Sequence, residues 1–330
     1  MSSGWKSLAA VCALVLGVYV YMAQSPIWEP WKLQGFRAGQ LSLNIDVPPG
    51  LTELPDPYDP TANDLYRERP YKFHDLSYYK GRLYLYFGVT PAVLLFWPFA
   101  VLTNHYLLHC EAVLIFCMIG FLVSTGLLRA LWRRYFAEVS VGVVAACAVA
   151  LGLATGVPAL LSWAGVYEVP ISCGYMLTML ALGAIWCALH EPEPRKRSGW
   201  LAGASLAYGL AVGARPSFLF GAVILLVPVA HTWREGKRMV VPLLAAVGPA
   251  VLIGLGLMLY NARRFDNPFE FGLHHQLTAK ELVSRQFFGL QYLWFNFRVN
   301  FLESARWGGR FPFIQNTPRA IGRWPVRSAS

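Results

Sequence analysis

Apolar residues gather along this chain into long runs, at 8–23, 83–103, 105–131, 139–163, 166–189, 200–214, 216–232 and 240–260. A helix needs about 20 apolar residues to cross a hydrocarbon core of about 30 Å, so each run predicts a helix; 200–214 and 216–232 stand at or below the lower limit for spanning. Between the first two runs lies a mostly polar stretch, 25–84, rich in Pro and Asp. A loop of that length inside a compact protein is expected to be functional and partly ordered. The pattern predicts an all-α polytopic membrane protein, a bundle of about seven transmembrane helices plus one juxtamembrane or re-entrant segment.

Composition agrees, with 56% hydrophobic residues and 14% charged ones, far from the balance of an ordinary soluble domain. The net charge of +10 comes from short basic clusters between apolar runs. No continuous basic stripe or nucleic-acid-binding motif accompanies them, so nucleic acid is excluded as a partner, and membrane lipid is expected instead. Five of the six cysteines lie inside apolar runs and the sixth, Cys110, at the edge of one. None has the paired spacing of a zinc or redox motif.

The basic clusters set an expected topology. Lys6 precedes the first run, which reads as an uncleaved signal anchor. If 83–103 stays at one interface as a segment broken by Pro91 and Pro98, then Lys6, Arg129, Arg133 and Arg134, Arg195 to Arg197, and Arg234, Lys237 and Arg238 all fall in the cytoplasm. If 83–103 spans, the three later clusters are thrown outside. The first alternative predicts a signal-anchor helix at 1–24, a first extracytoplasmic loop with its juxtamembrane helix at 25–103, a transmembrane bundle at 104–260 and an extracytoplasmic C-terminal segment at 261–330.

This topology collects a set of polar groups on the outer side. Glu111 and Glu168 start two spans, Arg215 lies between two short ones, and Asn261, Arg263 and Arg264 follow the last. Ionisable groups at the apolar boundary pair with one another or serve a site, and pairing of Glu111 or Glu168 with Arg215 is the structural alternative. Asp56, Asp59 and Asp64 sit beside Pro and Asn, where turn chemistry is the competing explanation. The seven tyrosines from Tyr58 to Tyr86 fit an interfacial aromatic belt or a sugar-stacking platform. No histidine pair has the spacing and intervening acid of a metalloprotease helix, and no metal is expected.

The order of a signal anchor, an acidic outer loop, YLYFGVTPAVLLFWP, LLRALWRRYF, GLAVGARPSFL and YNARRFDNPFEFGLHHQL resembles the bacterial branch of the GT-C glycosyltransferases. It is similar to the dolichyl-phosphate-mannose-protein mannosyltransferase group and the aminoarabinose transferases. The most specific stretches are DLSYYKGRLYLYFG and YNARRFDNPFEFG. The resemblance implies an inverting transfer of sugar from a polyprenyl-phosphate donor to an acceptor outside a bacterial inner membrane, without a cofactor. An acid of the first loop would be the base, and Asp75 is the first candidate, with Asp59 and Glu29 behind it. Glu29 is the only acid directly after the first run. Arg215, Arg263 and Arg264 would meet the donor phosphate, with Glu111, Glu168 and Asn261 lining the pocket. Two other classes fit the composition: a transporter of lipid-linked solutes, which should show inverted repeats that this chain lacks, and a non-catalytic or C-terminally truncated remnant, suggested by the basic tail without a further span.

Overall fold

The computed structural model describes residues 2–23, 41–43, 45–68, 71–236, 238–279, 289–302, 306–307 and 314–315. The chain forms two compact units, Met1–Val283 and Ser284–Ser330.

The first unit is mostly helical. After α1 (Ser2–Met22) come two short helices, α2 (Pro49–Thr52) and α3 (Asp64–Arg67), then a hairpin of β1 (Leu76–Tyr79) and β2 (Arg82–Leu85). A π-turn at Ala92–Phe96 leads into α4 (Trp97–Thr103). The bundle follows: α5 (His109–Tyr135), α6 (Val141–Leu153), α7 (Val157–Ser162), α8 (Glu168–His190), α9 (Pro194–Ala214), a 3₁₀ helix at Pro216–Leu225 running into α10 (Leu226–Arg234), and α11 (Val240–Phe265). The second unit contains α12 (Gln291–Phe297), continued by a π-turn at Arg298–Leu302, and the paired two-residue strands β3 (Arg306–Trp307) and β4 (Ile314–Gln315).

Four helical segments among the described residues are long and apolar enough to cross a membrane: His109–Tyr135, Glu168–His190, Pro216–Arg234 and Val240–Phe265. The third was expected to be marginal, and its winding changes that. Ten 3₁₀ residues rise about 20 Å and nine α residues about 13 Å more, enough for a core of about 30 Å.

Three expectations are corrected. The run 139–163 is not one helix: it breaks at 154–156, where Pro158 in the first turn of α7 lacks an N–H and the Thr155 hydroxyl takes the Val157 amide. The run 83–103 does not begin as a helix either. Leu83 and Tyr84 lie in β2, because Lys80 and Gly81 adopt φ of +47° and +74° and reverse the chain in a two-residue turn. Nor is the later part broken by its prolines. Pro91 opens the helix, and the π-turn before Pro98 shifts the hydrogen-bond register around a residue with no N–H.

Three clusters hold the first unit together. Val15 and Tyr19 of α1 pack with Phe116 and Phe121 of α5 and with α7 and α8. Gly152 of α6 admits α1 there, since a Cβ at that position would meet Val15 at 2.5 Å, and the Tyr19 hydroxyl donates to the Gly152 carbonyl at 2.9 Å. A second cluster joins α8, α9, α10 and α11 through small residues such as Ala181, Ala204 and Ala246, the close-packing currency of membrane helices. Pro249 interrupts α11 internally, and the neighbouring Ala250 amide donates to Ser205 Oγ at 3.1 Å.

The third cluster makes a small folded body of the first loop. Leu51, Tyr66, Phe73, Leu76, Tyr78 and Leu83 bury against Leu277, which lies beyond α11. Leu277 exchanges backbone hydrogen bonds with the β1 end, to Leu76 O at 2.8 Å and from Asp75 N at 2.9 Å. The loop and the segment after α11 therefore share one end of the bundle. At the other end, the Tyr135 hydroxyl meets His190 Nε2 at 3.1 Å, and Arg197 Nη1 donates to Glu235 Oε2 at 2.8 Å. Those contacts gather the helix ends that carry the basic clusters.

Candidate functional site

Asp75 is placed by its backbone. It stands directly before β1 with φ +62°, a left-handed conformation that a non-glycine residue adopts at a cost. Its amide donates to Leu277 O at 2.9 Å, and its carbonyl accepts from Gln276 Nε2 at 3.4 Å. Main-chain bonds on both sides of Asp75 thus fix where the carboxylate emerges.

The carboxylate meets the transmembrane bundle directly. Tyr167, one residue before α8, donates its hydroxyl to Asp75 Oδ2. His74 Nε2 stands 3.6 Å from Oδ1. Behind Tyr167, Phe87 presents an edge-on ring at 5.3 Å, and Tyr86 and Phe87 lie with centroids 4.2 Å apart. Tyr86 is half-buried, and burial, reinforced by the Asp75 charge, pushes its hydroxyl up to about 12, with Arg215 and a Gln276 hydrogen bond pulling the other way. Burial and the Asp75 hydrogen bond likewise raise the Tyr167 hydroxyl, with smaller contributions from Tyr86 and Glu168. Both phenols therefore stay protonated at neutral pH, and Tyr167 donates to Asp75.

Arg215 follows α9 and is exposed. Gly88 explains its position relative to Tyr86. A Cβ on Gly88 would stand 1.9 Å from Gly213 O and 2.6 Å from Ala214 O, so only glycine lets the chain after the hairpin lie flat on the end of α9. That contact holds residues 86–88 beside the residue that carries the cation.

Asp75 and Arg215 thus converge around Tyr86 and Tyr167. The other candidates make their contacts elsewhere. Asp59 Oδ1 accepts the Thr61 amide at 2.8 Å, and Asp56 Oδ1 accepts the Tyr58 amide at 2.9 Å, both as turn residues. Glu111 Oε2 accepts the Leu108 amide at 2.8 Å and Glu168 Oε2 the Gly165 amide at 3.0 Å. Both carboxylates satisfy amides at helix starts, and neither forms the pair with Arg215 that was the structural alternative. Asn261 and Arg264 do not follow the last span but lie buried within the last turns of α11. Arg264 donates to Leu85 O and to Asn261 Oδ1, each at 2.9 Å, with its guanidinium 4.0 Å from the Tyr260 ring. Arg264 is thereby a bolt between α11 and the end of β2, whereas Arg263 is exposed in the same turn. Glu29 lies outside the described residues.

Sequence reasoning passed over Tyr167 and Gln276, and took Tyr86 only as one of seven tyrosines of an interfacial belt or sugar-stacking platform. Tyr167 was signalled by its place beside Glu168 at the head of an apolar run. The hairpin was signalled by Lys80-Gly81 between two alternating tetrapeptides, LSYY and RLYL. No group of three or more His, Cys, Asp or Glu side chains among the described residues is placed to hold a metal ion.

Four long apolar helices and the bundle around them make this a mostly helical membrane protein, with a carboxylate, two phenols and an arginine clustered at one end. No family model, no curated protein and no solved structure matches the chain.

Proposed function

We propose that this protein is a membrane glycosyltransferase of the GT-C kind that its motif order resembles, moving a sugar from a polyprenyl-phosphate donor to an acceptor on the extracytoplasmic face of a bacterial plasma membrane. The observation that carries this reading is the Asp75 carboxylate, fixed by its backbone and by Tyr167, in the same cluster as the exposed Arg215. In the proposed step the acceptor hydroxyl loses its proton to Asp75 as its oxygen bonds to the anomeric carbon. The bond from that carbon to the phosphate oxygen breaks, and the phosphate leaves with the electron pair, its charge met by Arg215. Arg263, exposed in the last turn of α11, is the second candidate cation.

The topology of the proposal has seven passes: α1, α5, α6 with α7, α8, α9, the 3₁₀ helix with α10, and α11. Support comes from parity. Six consecutive passes from α5 to α11 return the chain to the end where it began, and Asp75 and Leu277 are hydrogen-bonded there. The segment 90–103 then starts and finishes at that end without crossing. The basic clusters lie at the opposite end, the cytoplasmic one by the positive-inside rule.

Transfer from a polyprenyl-phosphate sugar in proteoliposomes tests the function. Asp75→Asn should lower turnover by about two to four orders of magnitude, and Arg215→Gln should weaken donor binding while the protein still reaches the membrane. Near-wild-type turnover in Asp75→Asn would reject that base. A wild-type protein without transfer on any polyprenyl-phosphate sugar would reject the reading. Modification of Lys196→Cys by an impermeant reagent from outside intact cells would reverse the topology.

A further inference from the structure

The second unit presents an apolar helix that the bundle's chemistry does not use. From Gln291 to Leu302 the chain is continuously helical, seven α residues followed by a π-turn of five. Its length is at most about 18 Å, too short to cross a core of about 30 Å. Leu290, Leu293, Trp294 and Phe297 fall at i, i+3, i+4 and i+7, the spacing of one helix face. They are 89%, 67%, 66% and 44% exposed, with the Trp294 and Phe297 rings stacked at 6.0 Å. Asn296 lies off that stripe, and the exposed Arg298, eight residues after Leu290, lies at its edge with its guanidinium 5.8 Å from the Phe295 ring.

Two features say what covers such a stripe. The first is charge: residues 284–330 contain seven arginines against one acid, Glu303, so a protein partner would have to be strongly acidic, whereas an anionic lipid surface offers phosphates everywhere. The second is residue type. Trp, Tyr, Phe, Arg and Asn make up eight of the twelve residues from Gln291 to Leu302; aromatic rings with polar edges favour the headgroup level over either water or hydrocarbon. A helix of this length and character lies in the interface plane with its apolar side about 5–10 Å below the phosphates.

We propose that α12 and its continuation form an interfacial anchor, seated on an anionic phospholipid surface with Leu290, Leu293, Trp294 and Phe297 in the acyl boundary and Arg298 at phosphate level. The proposal is independent of the sugar-transfer reading. Covalent attachment to α11 holds the anchor near the bilayer at high effective concentration, so a modest intrinsic affinity keeps it bound.

The test uses the full chain with its six native cysteines replaced by alanine or serine, a Leu293→Cys substitution and a polarity-sensitive fluorophore on that cysteine. The protein is reconstituted into vesicles of phosphatidylcholine alone or mixed with phosphatidylglycerol. In the mixed vesicles we expect blue-shifted emission, quenched at least about twofold more by a spin label near the headgroup than by one near the acyl terminus. Raising the salt to about 1 M, where the Debye length is about 3 Å, should weaken the quenching. Phe297→Cys repeats the measurement from a second position should Leu293→Cys fail to fold. Water-like emission in both vesicle types would overturn the proposal. So would blue-shifted emission that no lipid label quenches, because the stripe would then be covered by protein, either this chain or a second copy.

Discussion

The Tyr167 hydroxyl donates to the Asp75 carboxylate across 92 positions of sequence. The bond joins the turn before α8 to the residue before β1 and so couples the folded loop to the bundle. Tyr167→Phe keeps the ring against Phe87 and removes only the donor. In a double-mutant cycle with Asp75→Asn, followed by unfolding in detergent, the two changes should be coupled by about 1 kcal/mol, the scale of a hydrogen bond to a partly solvated charged group. Additive effects would dissolve the link. In the transfer assay Tyr167→Phe should lower kcat more than it changes the donor KM, since it leaves Arg215 untouched.

Two glycines near the site should answer differently to alanine. At Gly88 the added methyl would drive into the carbonyls of Gly213 and Ala214, which are backbone and cannot rotate away. A loss of about 3 kcal/mol or more, or failure to accumulate in the membrane, is expected. At Gly81 a Cβ meets nothing within 4 Å, but φ is +74°, so the cost is conformational and about 1 kcal/mol. Melting temperatures of the two variants in detergent check the order, which equal costs would contradict.

Arg197 and Glu235 supply a prediction at the opposite end. Arg197 is 9% exposed and bonds both Glu235 Oε2 and the Glu191 carbonyl. Glu235→Gln should destabilise by about 2–3 kcal/mol because it strips the counter-charge from a nearly buried guanidinium. Arg197→Met combined with Glu235→Gln should recover part of that loss, since no unpaired charge is then buried. Unfolding in detergent with single and double variants measures it.

Asp266 and Lys80 give the contact between hairpin and α11 a pH window. The Lys80 hydrogen bond, with help from Tyr79, holds the Asp266 carboxyl below its usual range, and the same hydrogen bond raises Lys80. A depressed carboxyl contributes stability above its unfolded value of about 3.9 and loses it as pH falls through the folded one; a raised amine contributes below about 10.4 and loses it as pH rises through its folded value. Protection of β1 and β2 amides against exchange should therefore hold between those limits and weaken below about pH 4. Both side chains are exposed, so the effect is small and screened by salt. In Asp266→Asn the acidic limb should flatten.

The sequence by itself determined the membrane class, because the energy of burying apolar residues in lipid depends on local runs that can be read without a fold. It also marked the helix-end basic clusters and Arg215 as a boundary charge, while Asp75 came as a candidate base through the family resemblance. It could have disclosed the hairpin, since Lys80-Gly81 between alternating residues is local turn chemistry; seven tyrosines in the same stretch drew attention to the interface instead. Only tertiary structure decided which of these groups come together. Glu111 and Glu168 read as boundary acids in the sequence, and only the fold shows their carboxylates accepting amides at their own helix starts. Arg264 resembled Arg263 until packing buried it against Leu85, Asn261 and Tyr260. Tyr167 became part of the cluster because a left-handed residue at Asp75 and a glycine-thin contact at Gly88 turn the loop onto the bundle. Those are constraints on backbone geometry between distant segments, which periodicity and hydropathy do not encode.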